Sequence, residues 1–274
     1  MSSTPTKTLS EARWRPSRLV RGSIAAHVAG AALFAARPSL WPWLIGGLVA
    51  DHALLTASGL WPRSQLLGPN WVRLPQSATA QRNVAITIDD GPDPEVTPRL
   101  LDVLDRYGVR ATFFCIGERV TAHPGLARDI VRRGHALENH SHRHLHRFSL
   151  LGPRAMAAEV SRAQLEIASV VDEAPRFFRA PAGLRNPFLD PILARLGLKL
   201  ASWTRRGFDT VTDRPDAVCA RLVRGLGAGD ILLLHDGHAA RTPNGVPVSV
   251  EVLPQLLEAV ATARLTPVTL RATL

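Results

Sequence analysis

From residue 84 to the C-terminus, short apolar runs alternate with longer amphipathic segments, and this rhythm constrains the fold more than any other feature of the chain. Runs at 84–89, 111–115, 136–139, 176–179, 198–203, 230–235 and 267–270 have the length of buried strands. Between them, Val96, Leu100, Leu101, Val103 and Leu104 recur at helical spacing, as do Leu126, Ile130 and Val131. Gly108, Gly134 and Gly197 fall where such helices should stop. A strand–helix repeat requires a mainly parallel sheet, so seven strands predict a barrel or an open doubly wound sheet.

The reactive side chains gather where those strands run out. Asp89 and Asp90 close the first run just before a Gly91-Pro92 turn, and His140 follows the third. Arg179 ends the fourth, Asp209 follows the fifth, and His235-Asp236 ends the sixth. In parallel α/β folds this C-terminal rim is where sites form. Adjacent carboxylates in a cleft raise one another's pKa, which a metal ion or an arginine would relieve.

Residues 138–144 place three histidines in five positions. His140 and His144 are i,i+4, so on a helical turn they would face one way. With Asp90 they make a two-histidine, one-carboxylate set that leaves coordination positions open, as catalytic zinc or another divalent metal requires. Taken alone, a solvated histidine-rich turn would explain the segment equally well. His142 and His146 are expected at the surface, and His123, His135 and His238 are expected not to be ligands.

Four motifs in order now resemble one family. Thr87-Ile88-Asp89-Asp90-Gly91 is similar to the Thr-Phe-Asp-Asp-Gly motif of the polysaccharide deacetylases, the family 4 carbohydrate esterases with a NodB-homology domain. His140-Ser141-His142-Arg143-His144 resembles their His-Ser-x-x-His metal motif. Arg179-Ala180-Pro181-Ala182-Gly183 resembles Arg-x-Pro-x-Gly, and Leu233-Leu234-His235 the closing Leu-x-His. The resemblance implies an α/β fold, a distorted (β/α)7 barrel, acting on an N-acyl amino sugar with one divalent metal ion. Zinc is the first choice of metal, with cobalt, manganese or nickel as alternatives.

The same resemblance implies roles. Asp90, His140 and His144 would hold the metal, and Asp89 would be the general base toward water. Arg179 would pair with Asp89, although an ion pair at a barrel mouth would also account for it. His235 would protonate the departing amine, and Leu233 would line the pocket for the acyl methyl. The match weakens around Trp203 to Thr210. Trp203 and Asp209 are kept, but Arg206 stands where relatives often carry aspartate and Thr210 where they carry tryptophan. Asp209 is expected to orient His235 and raise its pKa. Trp203, Arg205 and Arg206 are expected to meet the substrate, the two arginines through a phosphate on it; two solvated, ion-paired arginines are the alternative.

Residues 1–80 lie outside the resemblance. Lys7, Arg13, Arg15, Arg18 and Arg21 form a basic arm ahead of two apolar stretches, 23–36 and 40–60, which Arg37-Pro38 divides. A bilayer span takes about 20 apolar residues. Alanine and glycine in the first stretch suit close helix packing in lipid, and Trp41, Trp43 and Trp61 flank the second as interfacial anchors would. Asp51 and His52 are costly there and should face protein or water. A helical membrane hairpin in the inner membrane is therefore expected, with a pair of amphipathic helices lying on its surface or packing on the domain as the alternative. If both segments cross, the catalytic unit (81–274) returns to the cytoplasmic side. The proline-containing stretch 61–81 is read as a linker.

The net charge of +10 fits an anionic membrane surface as partner. No basic stripe interleaved with aromatics occurs, so no nucleic-acid partner is expected. At 46% apolar and 20% charged residues, wholesale disorder is excluded. Two cysteines, Cys115 and Cys219, provide no disulfide framework, and nothing in the pattern speaks to oligomeric state. The expected function is metal-dependent removal of an N-acetyl group from an amino sugar of a membrane-proximal glycan or glycolipid. Deformylation or deacetylation of a polyprenyl-phosphate-linked amino sugar is a close variant. A catalytically silent carbohydrate-binding barrel is the alternative from another class, and keeping both a base and an acid argues against it.

Overall fold

The computed structural model describes residues 14–274. Most of the expected basic arm, with Lys7 and Arg13, lies outside the described residues. The strands are β1 (Asn83–Gly91), β2 (Thr112–Cys115), β3 (Ala136–Asn139), β4 (Phe177–Phe178), β5 (Lys199–Leu200), β6 (Arg205–Arg206), β7 (Ile231–His235) and β8 (Thr266–Pro267). They run in the order β5-β4-β3-β2-β1-β7-β6, and β8 pairs with the foot of β1. Every ladder is parallel. The result is a parallel-sheet half-barrel with helices outside, consistent with the expected (β/α)7 fold. One strand more than expected is present: β6 is two arginines long and carries no apolar run to reveal it.

The two faces of β1 divide the core. Val84, Ile86 and Ile88 point outward and pack with Leu232 and Leu234 against the helices Val96–Arg106 and Val248–Thr262. Ala85 points inward, among Phe114, Phe177, Ile231 and Leu74. Period-2 alternation then places Thr87 and Asp89 on the inner line, with Asp89 at its top.

The stretch 61–81 is not a loose linker. The Trp71 N–H donates to the Leu200 carbonyl (2.9 Å), and Trp71 accepts from the Ser202 N–H (2.9 Å). The Thr204 hydroxyl donates to the Val72 carbonyl (2.7 Å), and the Leu74 N–H to that of Gly229 (2.9 Å). This segment fills the gap between the edge strands β5 and β6, whose backbone groups would otherwise lack partners. Leu67, Leu74 and Ala78 are buried as a consequence.

Two helices precede it, α1 (Arg18–Ala36) and α2 (Trp41–Leu60). Both are long and apolar enough to cross a membrane, and Ile24, Val28, Phe34, Trp43, Ile45 and Val49 on them are exposed. Between them runs a polar seam. The Ser23 hydroxyl donates to Asp51 (2.7 Å), and His27 Nε2 lies 3.2 Å from His52 Nε2. Asp51 and His52 thus face the partner helix. The end of α2 is fastened to the barrel: the Arg185 N–H donates to the Gly59 carbonyl (3.0 Å), and its guanidinium to that of Ser64 (2.8 Å). Gly183, at φ +73°, is wedged between Pro62 and the Trp203 ring, with no room for a Cβ.

Candidate active site

Two consecutive strand residues normally point to opposite faces, yet both carboxylates of the Asp89-Asp90 pair face the barrel mouth. The β1–β2 register slips between Asp89 and Gly91, and Asp90 adopts φ +74°. A bulge of this kind re-aims one side chain, and aspartate is among the few residues that tolerate the left-handed region. Gly91 is needed next, because a Cβ there would run into the Asp236 carboxylate.

His140 and His144 arrive on a loop rather than on a helical turn. Ser141 (φ +64°) and His144 (φ +51°) bend the chain so that both rings meet. The loop is held from below: Asn139 Oδ1 accepts from the Ser141 N–H (2.9 Å), and Glu159 from the Arg143 N–H (3.0 Å). His140 Nδ1 donates to the Arg179 carbonyl (2.8 Å), which leaves Nε2 with its lone pair free.

Asp90 Oδ1 is buried without a hydrogen-bond partner, 3.2 Å from His140 Nε2 and 3.2 Å from His144 Nε2. Two imidazole nitrogens and an orphaned carboxylate oxygen therefore converge on one point. Three donors this close fit a single divalent ion with bonds of about 2 Å. Burial pushes the Asp90 carboxyl up, but His140, His238 and His144 outweigh it and hold the group well below the usual carboxylate range. Burial and the neighbouring His140 push His144 down to about 4, so its ring is neutral at ordinary pH and could offer a lone pair to a metal.

Asp89 lies beside this cluster, its Oδ2 3.8 Å from His140 Nε2. Arg179, fully buried, donates from Nη1 to Asp89 Oδ1 (2.5 Å) and to the Thr87 hydroxyl (2.9 Å). Its remaining donors reach the carbonyls of Ser202 (2.8 Å) and Ala201 (3.3 Å), and its Cζ sits 4.1 Å above the Phe114 ring. Four of the five guanidinium N–H groups are thus engaged, so one Asp89 oxygen is fixed and the other faces the cluster.

Beside Asp89 on the neighbouring strand β7 stands His235, where Asp209 accepts from its Nδ1 (2.9 Å) and from its backbone N–H (2.7 Å). Burial pulls the imidazole down, but the Asp209 charge and hydrogen bond, helped by Asp89 and Asp90, push it up to about 9. The cavity holds about 200 Å³, and Leu233, Trp203, Arg206 and Thr210 complete its wall.

Arg205 is not among them. Its Nε donates to Asp230 (2.5 Å) and its Nη atoms to the carbonyls of Arg224 and Gly225. Neighbours on β6 face opposite ways, so the strand delivers only Arg206 to the cavity. His142, expected at the surface, is buried with Nδ1 2.8 Å from Glu166, bracing the loop. The sequence motifs assign Asp236 no role. Fully buried, it accepts from the Thr97 hydroxyl (2.5 Å), and burial together with the Asp90 charge pushes it up to about 7. Its position directly after His235 was the available signal.

A family model described as polysaccharide deacetylase matches residues 76–201. A peptidoglycan-N-acetylglucosamine deacetylase of Bacillus cereus is 33% identical over 178 residues, covering 64% of this chain and 82% of the relative. The chain belongs to the polysaccharide deacetylase family. A chitooligosaccharide deacetylase of a Bradyrhizobium species is 37% identical over 158 residues, 57% of this chain and 72% of the relative. Among solved polysaccharide deacetylase structures, a family 4 carbohydrate esterase from Streptomyces lividans in complex with acetate superposes with a TM-score of 0.61 at 32% identity. It covers 68% of this chain and 91% of its own.

Proposed function

We propose that this deacetylase hydrolyses the N-acetyl amide of an amino sugar on a membrane-proximal glycan or glycolipid, with one divalent ion, zinc first, held by Asp90, His140 and His144. The observation that carries this is the gathering of those three donors with Asp89 and His235, ladder partners on β1 and β7, within one cavity. Held there, a divalent ion would supply Lewis-acid activation for amide hydrolysis.

The chain's own residues supply the rest. Asp89, oriented by Arg179, accepts the proton of the attacking water. His235, kept protonated by Asp209, delivers a proton to the amine nitrogen as the C–N bond breaks, so no amide anion has to leave. Leu233 offers the apolar wall for the acyl methyl, and Trp203 a flat surface beside the sugar. Relatives named for peptidoglycan and chitooligosaccharide substrates support an N-acylated amino-sugar glycan. Formyl in place of acetyl would use the same machinery.

The membrane part of the proposal rests on α1 and α2. Ile24, Val28, Leu33, Phe34, Trp41, Trp43, Ile45, Val49 and Leu54 on them stay exposed among the described residues, and Pro62, just past the end of α2, packs at Gly183 beside the Trp203 ring of the cavity wall. A hairpin in the inner membrane would therefore hold the cavity close to the lipid surface, with the catalytic unit on the cytoplasmic side if both helices cross. A C-terminal reporter active on one side only tests that orientation.

The test of function is acetate or formate release from N-acetyl and N-formyl glucosamine oligomers and from peptidoglycan fragments, with zinc or cobalt added. Asp89→Asn should lower kcat/KM by roughly 10²–10⁴-fold. Binding of the same glycans without release by the wild-type chain would establish the silent barrel instead.

A further inference from the structure

Arg206 is a cation without a counter-charge in the wall of the catalytic cavity. Its Nε is buried and has no hydrogen-bond partner, and among the described residues its guanidinium makes no ion pair. Its place is set by aromatic faces: Cζ lies 5.0 Å from the Phe208 ring centre and 5.6 Å from that of Trp203. Both distances are within cation–π range. The acids lining the same cavity do not pair with it: Asp89 is held by Arg179, and Asp90 faces His140 and His144. With Nε out of solvent contact and no carboxylate beside the group, its Nη donors are the ones left to meet a carboxylate or phosphate in the cavity. Arg205 differs in each respect: it is spent on Asp230 and two carbonyls at the foot of β7.

We propose that Arg206 forms a subsite for an oxyanion carried by the amino-sugar substrate, so that the enzyme selects anionic N-acyl sugars over neutral ones. This rests on the amide-hydrolase function proposed above. At about 200 Å³ the cavity is small, so the anion lies on the sugar being deacylated or on the group directly linked to it. A phosphate joining the sugar to a lipid and a free sugar phosphate present the same chemistry to the guanidinium, as does a carboxylate on the ring.

The experiment compares kcat/KM of the full chain in detergent on four N-acetylated substrates: a neutral glucosamine oligomer, its 1-phosphate, a lipid-linked phosphodiester and a sugar bearing a carboxylate. Wild-type protein should favour at least one anionic substrate by about 10- to 100-fold, the worth of a charge-assisted hydrogen bond. That ratio should collapse toward one in Arg206→Gln and survive in part in Arg206→Lys. Equal gains for the soluble and lipid-linked phosphates would place the selection in the headgroup. A gain confined to the lipid arm and kept in Arg206→Gln would place it in contacts with the lipid chain and overturn the proposal. So would a wild-type ratio near one, or an Arg206→Gln variant that loses both substrates equally. If no N-acyl sugar is hydrolysed, the amide-hydrolase reading falls, and calorimetric titration with glucosamine 1-phosphate decides the subsite separately. Binding lost in Arg206→Gln supports it, and no binding by wild type overturns it.

Discussion

Replacing Asp209 with asparagine removes the charge beneath His235 while keeping the side chain's size. His235 stands at about 9, against an ordinary value of about 6.5, although burial alone would pull it below that. The Asp209 charge and hydrogen bond are the largest upward influences, and Asp89 and Asp90 add less. Removing one adjacent charge should lower the imidazole by about 1–3 units. The raised group is protonated below its folded pKa and loses its proton above it, so an acid-dependent rate fails on the alkaline side. In Asp209→Asn that alkaline limb of kcat/KM should move to lower pH, with about tenfold activity lost per unit above the new limb. A divalent ion at Asp90 would lower His235 in both proteins, so the displacement between the two profiles is the quantity to read. The assay is acetate release across pH 6–10 at saturating zinc. Asparagine can accept only one of the two N–H groups that Asp209 accepts, so a stability loss of about 1–3 kcal/mol should accompany the shift. A uniform fall in kcat/KM with the alkaline limb unmoved would refute the role given to Asp209.

Asp89→Asn should cost stability as well as rate. It strips the buried Arg179 of its only carboxylate among the described residues, a loss of about 3–5 kcal/mol that denaturant titration would measure. Asp90→Asn and His140→Ala should each bind one equivalent of zinc less than wild type by elemental analysis, and chelation of the wild type should abolish activity that added zinc restores. Gly91→Ala drives a Cβ into Asp236; overpacking of about 1–3 kcal/mol would appear as a fall in Tm of roughly 2–4 °C per kcal/mol. Full-length protein should resist carbonate extraction from membranes, and release into the soluble fraction would remove the hairpin from the bilayer.

Much of this protein was written in local patterns. The alternation of apolar runs and helical faces specified a parallel α/β sheet, since strand and helix periodicities are properties of neighbours along the chain. The chemistry-bearing types at the strand ends, Asp89, Asp90, His140, Arg179 and His235, were visible for the same reason. Other features needed the folded chain. The spacing of His140 and His144 suggested a helical turn, but positive φ at Ser141 and His144 delivers both rings from a loop braced by Asn139 and Glu159. Residues 70–74 looked like linker because their partners, on β5 and ahead of β7, are more than 120 residues away. Arg205 and Arg206 read as a matched pair until the pleat of β6 sent one to Asp230 and the other into the cavity. Residue type and order determined which chemistry the chain can reach. Which atoms meet was decided by bulge, pleat and long-range pairing, because those depend on contacts between segments distant in sequence.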